Sequence, residues 1–395
     1  MSGVDPTVTR ARDAVYVVFA LNGFLFASLA SRFPDVREGL DLDNGGLGLL
    51  LLAIAVGSVL ALPSAGRLIE RFDATTVVRA GVVTAAAGVV VATLGADVVG
   101  SVPLAAVGLF AYGTGIGVWD VAMNVEGAEV ERRLGRTIMP RFHGLFSVGT
   151  IAGAGIGIVA TAAGVPMAVH LAVLAALALV VTLRWAGAFL EPHPDAAETT
   201  PLTTSRSAWT EPRIVAVGLM VLAFAVVEGS ANDWLTLALI DGYDVPHWVG
   251  VAGYALFVTS MTAGRLAGTS LLDRFGRAPV LWGTALAAAV GIVLVVLGDQ
   301  VVLVALGIVV WGLGASLGFP VGMSAAADDP ARAAARVSVV STIGYAAFLA
   351  GPPLLGQLGN RVGTLDSLVV VAFLMAPAAL SVLAARPRRA AVGSS

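Results

Sequence analysis

The chain has 395 residues, of which 57% are hydrophobic and 12% are charged, and its formal net charge is −3. Soluble domains carry about 25% charged residues, so this composition excludes a soluble enzyme, a nucleic-acid-binding protein and a disordered chain. The chain contains no cysteine, which excludes disulfides and cysteine-ligated metals. The composition is typical of a protein that is embedded in a lipid bilayer.

The sequence contains twelve long apolar stretches, each close to the roughly 20 residues that an α-helix needs to cross the hydrocarbon core. Their length and lack of alternation favour helices over the short segments of a β-barrel. We therefore predict an all-α membrane protein with twelve transmembrane helices, the first of which is retained and not cleaved as a signal peptide. The predicted spans are 14–33, 46–68, 76–96, 102–125, 141–164, 166–189, 213–240, 248–270, 278–298, 301–324, 336–360 and 365–385.

The distribution of positive charge predicts the orientation of these helices. All 23 basic residues are arginine, and the loops on one side contain only Arg32, Arg37 and Arg361. The other side, with both termini, contains the rest. Positively charged loops stay in the cytoplasm. We therefore predict a multi-pass protein of the cytoplasmic (inner) membrane with both termini cytoplasmic, which agrees with an even number of spans.

A polar segment rich in proline and threonine, 190–212, predicts a cytoplasmic linker between two six-helix bundles. The N-terminal bundle is predicted at 14–189 and the C-terminal bundle at 213–385. Short cytoplasmic segments, 1–13 and 386–395, are predicted at the two ends of the chain.

Several motifs occur twice in the sequence. The tetrapeptide Ala-Gly-Arg-Leu stands at Ala65–Leu68 and again at Ala263–Leu266, and the pair Gly113 and Gly115 is repeated 199 residues later. A near-constant offset indicates an internal duplication. Two duplicated six-helix bundles with pseudo-symmetry are typical of a transporter with a central site.

The segments after the second and eighth predicted helices read Gly-Arg-Leu-Ile-Glu-Arg-Phe-Asp and Asp-Arg-Phe-Gly-Arg. Both resemble the short cytoplasmic signature of the major facilitator superfamily, although the first has Asp73 where glycine is usual. The resemblance implies the major facilitator fold over the whole chain. It also implies a structural and gating role for the matching residues, which are Gly66, Arg67, Glu70, Arg71, Asp273, Arg274, Gly276 and Arg277.

The fourth and fifth helices resemble the fucose-permease-like branch of that superfamily. Asp120 and Asn124 match an acid that is followed, four residues later, by asparagine, and His143 falls where the branch carries a polar residue. Residues i and i+4 share one face of a helix. We predict Asp120, His143 and Glu228 as proton-coupling groups, because a desolvated carboxyl can hold a proton. A static pair of Asp120 with His143 or a cytoplasmic arginine is the alternative.

Polar and aromatic residues lie near the middles of several spans. An ionisable group inside a membrane costs about 2.5–3.5 kcal/mol, so each one needs a reason. In the resembled superfamily the first, fourth, seventh and tenth helices line the cavity. The predicted solute-binding residues are Asn22, Tyr112, Asn124, Glu228, Asn232, Trp311 and Tyr345. The alternative is helix packing for the aromatic residues and a structural hydrogen bond for Glu228.

We expect a secondary transporter that moves a small organic solute, sugar-like or similar, by alternating access as a proton-coupled symporter. A proton-driven drug exporter and a non-transporting ligand sensor are the alternatives. The sequence has no zinc-protease motif and no nucleophile elbow, so we do not expect an enzyme. The expected partners are the solute, protons and the lipid bilayer. We expect no nucleic acid, no cofactor and no metal, and a monomer.

Overall fold

The computed structural model describes residues 5–135, 138–190, 208–326, 328 and 332–386, and this part of the chain is helical, without strands. The prediction of an all-α protein with twelve long helices is confirmed. They are α1 (Pro6–Ala30), α2 (Asn44–Phe72), α3 (Ala74–Val99), α4 (Val102–Leu134), α5 (Met139–Ala162), α6 (Met167–Ala188), α7 (Pro212–Tyr243), α8 (His247–Phe275), α9 (Arg277–Leu297), α10 (Val301–Ala326), α11 (Ala333–Val362) and α12 (Thr364–Ala385).

Eleven of these helices are long and apolar enough to cross a membrane in the part of the chain that the structure describes. The remaining one, α8, coincides with the predicted span 248–270 and has 29 residues. At a rise of 1.5 Å per residue it is about 43 Å long, which also exceeds the hydrocarbon thickness. Its lower hydropathy has a local cause, because Arg265 lies well inside the helix.

Local sequence signals set the ends of several helices. The Asp5 carboxylate accepts a hydrogen bond from the backbone N–H of Thr7 at 2.8 Å, so α1 begins ahead of the predicted residue 14. Asp43 caps α2 in the same way, through the N–H of Gly46 at 2.6 Å. The helix α4 ends at Gly135, whose φ of 63° stops the helix.

Several of the described helices contain irregular segments, among them α3, which is π-helical over Leu94–Val99. The helix α7 is π-helical over Ala231–Leu235. The helix α10 is interrupted after Ala315 and resumes at Gly318. The helix α11 carries Pro352 and Pro353, which remove backbone donors from its interior. Such irregularities are frequent at functional sites in membrane proteins, because they free backbone groups for ligands or for motion.

Close packing divides the described residues into two compact units. The first contains the residues up to 190 together with Asn232–Val258 and Pro352–Thr364, and the second contains the remainder. The predicted linker, 190–212, lies mostly outside the described residues, and the predicted halves on either side of it stay a prediction. Most of the predicted tail, 386–395, and the first four residues also lie outside them.

Within each unit the same pair of helices packs backbone against backbone. In the first unit, a Cβ on Gly88 of α3 would overlap the backbone nitrogen of Tyr112 on α4. In the second, a Cβ on Gly291 of α9 would overlap the backbone nitrogen of Trp311 on α10. We call the α3–α4 and α9–α10 contacts the glycine seams. Their equivalence supports the internal repeat, because the same contact is built twice from equivalent positions.

Replacing Asp73 by alanine is expected to lower the melting temperature more than replacing it by glycine. Asp73 has φ 74°, a region that costs a non-glycine residue about 1–3 kcal/mol, and Gly276 holds the equivalent place with φ 76°. The Asp73 carboxylate accepts the N–H of Thr76 at 2.7 Å, a cap that contributes about 0.5–2 kcal/mol. The alanine variant keeps the backbone strain and loses the stabilising cap. The glycine variant also loses the cap, but it is relieved of the strain. Thermal unfolding in detergent tests this order, and equal melting temperatures would contradict it.

Candidate functional site

An ion pair lies in the interior of the second unit. Nη2 of Arg265, on α8, donates to both carboxylate oxygens of Glu228, on α7, at 2.9 Å each. Glu228 lies about 24 Å along α7 from its first residue, and Arg265 lies about 15 Å from the last residue of α8. Both groups are therefore far from the helix ends. Glu228, predicted as a proton-coupling and solute-binding residue, has a cationic partner.

Arg265 is a residue of the candidate site that the sequence did not lead us to expect there. The charge asymmetry places it with the arginines of the cytoplasmic side, and the structure corrects that assignment. Its position inside the predicted span 248–270 was the signal that could have identified it, because an arginine within a span faces a partner or a cavity. Its pairing with Glu228 depends on how α8 packs against α7, which the sequence does not encode locally.

The predicted aromatic residues of the second unit lie in different surroundings. Trp311 is fully buried, and its Nε1 donates to the backbone carbonyl of Val227 at 3.3 Å. Tyr345, on α11, is half-buried and lies between Phe319 and Phe348, with ring centroids 6.4 and 6.2 Å away. Trp311 therefore packs in the glycine seam beside α9, whereas Tyr345 belongs to a group of three aromatic rings.

In the first unit, Asp120 lies in the interior of α4 without a cationic partner among the described residues. Nδ2 of Asn124 donates to its backbone carbonyl at 2.9 Å and to its carboxylate at 3.4 Å. The predicted i, i+4 contact of these two residues is thus present. His143, at the start of α5, packs edge-on against Phe19 at 5.2 Å between ring centroids. The static ion pair considered for Asp120 is not formed within the described part of the chain.

The other predicted solute ligands of the first unit are mostly enclosed. Tyr112 is 1% exposed in the α3–α4 glycine seam, and its hydroxyl has no hydrogen-bond partner among the described residues. Asn22 is 2% exposed, and its Nδ2 is likewise without a partner there. Asn232 lies in the π-helical turn of α7 and is partly accessible. Asn22 and Tyr112 therefore keep unused hydrogen-bonding groups inside the protein.

A network of charged and polar side chains closes the end of the first unit that is predicted to be external. We call Arg37, Asn44, Asp241 and Thr364 the outer cluster. Nη1 and Nη2 of Arg37 donate to the two carboxylate oxygens of Asp241 at 2.5 and 2.6 Å. Asn44 accepts from Arg37 and donates to Thr364, each at 2.9 Å, and Thr364 donates to Asp241 at 2.7 Å. These bonds join the segment before α2 to the end of α7 and the start of α12.

A second cluster at the same end surrounds the buried side chain of Arg32. Arg32 donates to Nδ1 of His170 at 3.0 Å, to the carboxylate of Asp35 at 3.0 Å and to the carbonyl of Val165 at 2.9 Å. Burial raises the pKa of Asp35, and the Arg32 guanidinium opposes that effect. Arg32 and Arg37 are two of the three exceptions to the charge asymmetry. Each of these two arginines is the centre of a polar cluster. Their departure from the charge asymmetry therefore indicated that they make specific contacts.

The motif residues at the predicted cytoplasmic ends make few mutual contacts. Arg277 donates to Asp328 at 2.7 Å and to Ser324 at 2.9 Å, which ties the start of α9 to the end of α10. Arg71 and Arg274 each lie 5.2 Å above the ring of the following phenylalanine. The side chain of Glu70 lies outside the described part of the structure. Arg67 and Asp273 form no ion pair with a described residue, and Gly66 and Gly276 contribute backbone only.

Comparisons with known proteins agree with these observations. The family model of the Major Facilitator Superfamily matches residues 15–352. The chain is 33% identical over 348 residues to an uncharacterised transporter of Sinorhizobium fredii, covering 87% of this chain and 89% of the relative. The relative is a transporter by name, and the match extends over most of both chains.

Two solved structures share the fold. The nucleoside transporter NupG superposes with a TM-score of 0.76 at 15% identity, over 96% of this chain and 99% of that one. The fucose:proton symporter FucP of E. coli superposes with a TM-score of 0.62 at 16% identity, over 94% and 97%. The predicted fold and the predicted resemblance are confirmed. The chain belongs to the major facilitator superfamily.

Proposed function

We propose that the protein is a proton-coupled secondary transporter that carries a small organic solute across the inner membrane of a bacterium by alternating access. In this proposal both termini are cytoplasmic and the working unit is a monomer without cofactor. Membership of the superfamily supports solute transport, and the structural relatives include a proton symporter and a nucleoside transporter. No catalytic chemistry is proposed.

One observation carries the proton coupling. Asp120 lies in the interior of α4 with only the Asn124 amide bonded to its side chain among the described residues. A carboxylate without a neighbouring cation is destabilised in a membrane interior, so the neutral, protonated form is favoured there. When the site is open to water, the ionised form is stabilised instead. Alternating access would expose the same carboxyl to two solutions in turn, which couples proton movement to solute movement.

The exporter of lipophilic cations is less well supported. An unpaired acid attracts a cationic drug, and Glu228, the interior acid of the second unit, is neutralised by Arg265 at 2.9 Å. A net-neutral pair offers a cation little attraction, because the arginine repels it as strongly as the glutamate attracts it. We therefore propose the symporter as the function.

Asp120→Asn is expected to abolish proton-driven accumulation of solute and to leave solute exchange intact, because the amide cannot bind or release a proton. The test is reconstitution in proteoliposomes with an internal pH dye and a panel of sugars, polyols, organic acids and lipophilic cations. Asp299→Asn is the matched control, since Asp299 is exposed between α9 and α10. Unchanged accumulation in Asp120→Asn would refute the assignment, and ligand binding without any flux would favour a sensor.

A further inference from the structure

We infer that the transported solute carries a carboxylate, which Arg265 binds while Glu228 takes up the accompanying proton. The inference rests on the proposed function and names the solute class and the place of the exchange. Both residues are in the second unit, in the membrane interior, and the comparisons do not assign a role to either.

The guanidinium of Arg265 is only partly used. Nη2 bonds both oxygens of Glu228 at 2.9 Å, and Nε contacts the Ser316 carbonyl at 3.4 Å. Nη1 has no hydrogen-bond partner among the described residues. The side chain of Arg265 is 28% exposed and that of Glu228 is 20% exposed, so the protein does not fully enclose the pair. An arginine fork binds a carboxylate through two parallel N–H groups, and Arg265 would present such a pair on Nη1 and Nη2 once Glu228 releases Nη2.

Irregular backbone lies on both sides of the ion pair. The π-helical turn of α7 begins at Ala231, three residues after Glu228. The interruption of α10 begins at Ser316, whose carbonyl faces Arg265. Interrupted helices at mid-depth are the usual surroundings of solute and ion sites in transporters of this kind of architecture. A pair that served only to hold α7 to α8 would need neither interruption.

The charge balance determines what can replace the resting pair. A solute anion that enters alone would leave one uncompensated negative charge in the interior, which is expensive. If the solute anion and a proton enter together, Glu228 becomes a neutral carboxylic acid and Arg265 pairs with the solute carboxylate. The O–H bond of Glu228 forms as the ion pair with Arg265 breaks, and the total charge stays zero. At this pair one proton thus enters with each solute anion, and the proton that Asp120 carries is separate from it.

Few other groups could take the proton in this part of the chain. Of the described helices packed against α7 in the second unit, α10 carries no charged residue and α11 contributes Tyr345 at mid-depth. Arg336 of α11 lies at the inner end, where it pairs with Glu211 at 2.8 Å. Asp366 stands near the first residue of α12, far from Glu228. Asp233, five residues after Glu228 on the same helix, belongs to the first unit, so Glu228 is the one interior carboxyl that the described part of the second unit offers.

The test compares matched acids and neutral analogues on the purified full chain: galacturonate with galactose, and gluconate with sorbitol. Thermal shift and tryptophan fluorescence measure binding, and the pH dye in proteoliposomes measures proton flux. We expect at least one acid to bind at least tenfold more tightly than its neutral analogue, and Arg265→Gln to weaken that binding at least tenfold. Binding to Glu228→Gln should lose its dependence on pH, because the amide imitates the protonated acid.

A double exchange, Glu228→Arg with Arg265→Glu, separates binding from folding. If the pair only joins two helices, the exchanged pair restores both the melting temperature and solute binding. Under the inference the exchanged pair restores the melting temperature alone, because the arginine is then on the wrong helix. Binding of neutral analogues as tight as that of the acids, or no binding of any acid, overturns the inference. Proton flux with a neutral solute overturns the inference but leaves the proposed transport function in place. Binding of an acid without any flux overturns the transport function and leaves only the carboxylate site at Arg265.

Discussion

Gly291→Leu is expected to prevent accumulation of folded protein, and Gly88→Leu is expected to do the same in the first unit. At each site a Cβ would overlap the backbone nitrogen of the facing helix, at Trp311 and Tyr112 respectively. Neither helix can yield by rotating a side chain, because the atom in the way belongs to the backbone. Overpacking of ordinary core positions costs about 1–3 kcal/mol, and backbone overlap exceeds that range.

Gly283→Leu is the matched control for the glycine seam. Gly283 is on the same helix as Gly291, but no atom lies within 4 Å of the Cβ that a substitution would add. The yield of monodisperse protein from detergent, followed by size-exclusion chromatography of a fluorescent fusion, measures the outcome. Similar yields for the leucine variants of Gly291 and Gly283 would show that the seam can open without unfolding the protein.

Asp241→Asn is expected to favour opening of the outer cluster. Arg37 then loses its charge partner and one of its two hydrogen bonds to this side chain, because the amide has a single acceptor oxygen. A hydrogen bond to a charged group is worth about 1.5–3 kcal/mol. Since about 1.4 kcal/mol corresponds to a factor of ten, the open population should rise at least tenfold. The natural absence of cysteine allows a single reporter, Leu47→Cys, which replaces a fully buried residue one turn beyond Asp43.

A membrane-impermeant maleimide added to intact cells measures the exposure of that reporter. Labelling should rise in the Asp241→Asn background and stay low with Asp244→Asn, an exposed acid in the loop that follows α7. Asn tolerates the φ of 50° at position 244, so this control leaves the loop conformation in place. A rise in labelling only from the inner face would invert the predicted orientation. No rise from either face would show that the outer cluster is not a gate.

The fold was predictable because the membrane leaves few alternatives. A chain in lipid must satisfy its backbone hydrogen bonds internally, so long apolar stretches predict helices and their number predicts the topology. The helix caps at Asp5 and Asp43 also depend only on local sequence, because each carboxylate accepts a hydrogen bond from a backbone N–H two or three residues later. The helix ends were less predictable, because α1 and α4 extend well beyond their apolar stretches.

The site was only partly predictable, because hydropathy indicates how deep a residue lies in the membrane but not towards which neighbours its side chain points. Tyr112 and Trp311 have equal predicted depth, but their rings are buried in the glycine seams. Glu228 is recognisable as an interior acid, yet its partner is 37 residues away on another helix. The contact of Asp120 with Asn124 could be read from spacing, since it lies within one helix. Contacts between helices require the packing, which no local pattern supplies.

The glycine seams also bear on how the two halves diverged after the duplication. The backbone contact is present in both copies, at Gly108 and Gly307 as well as at the positions described above, while the aromatic residue beside it is tyrosine in one copy and tryptophan in the other. Asp120 follows Tyr112 by eight residues, and the position eight residues after Trp311 is Phe319. The two copies thus share the same close approach of helix axes and differ in their chemistry, so that one holds a lone acid and the other an ion pair. The repeat supplies a common frame within which each copy carries its own arrangement of charge.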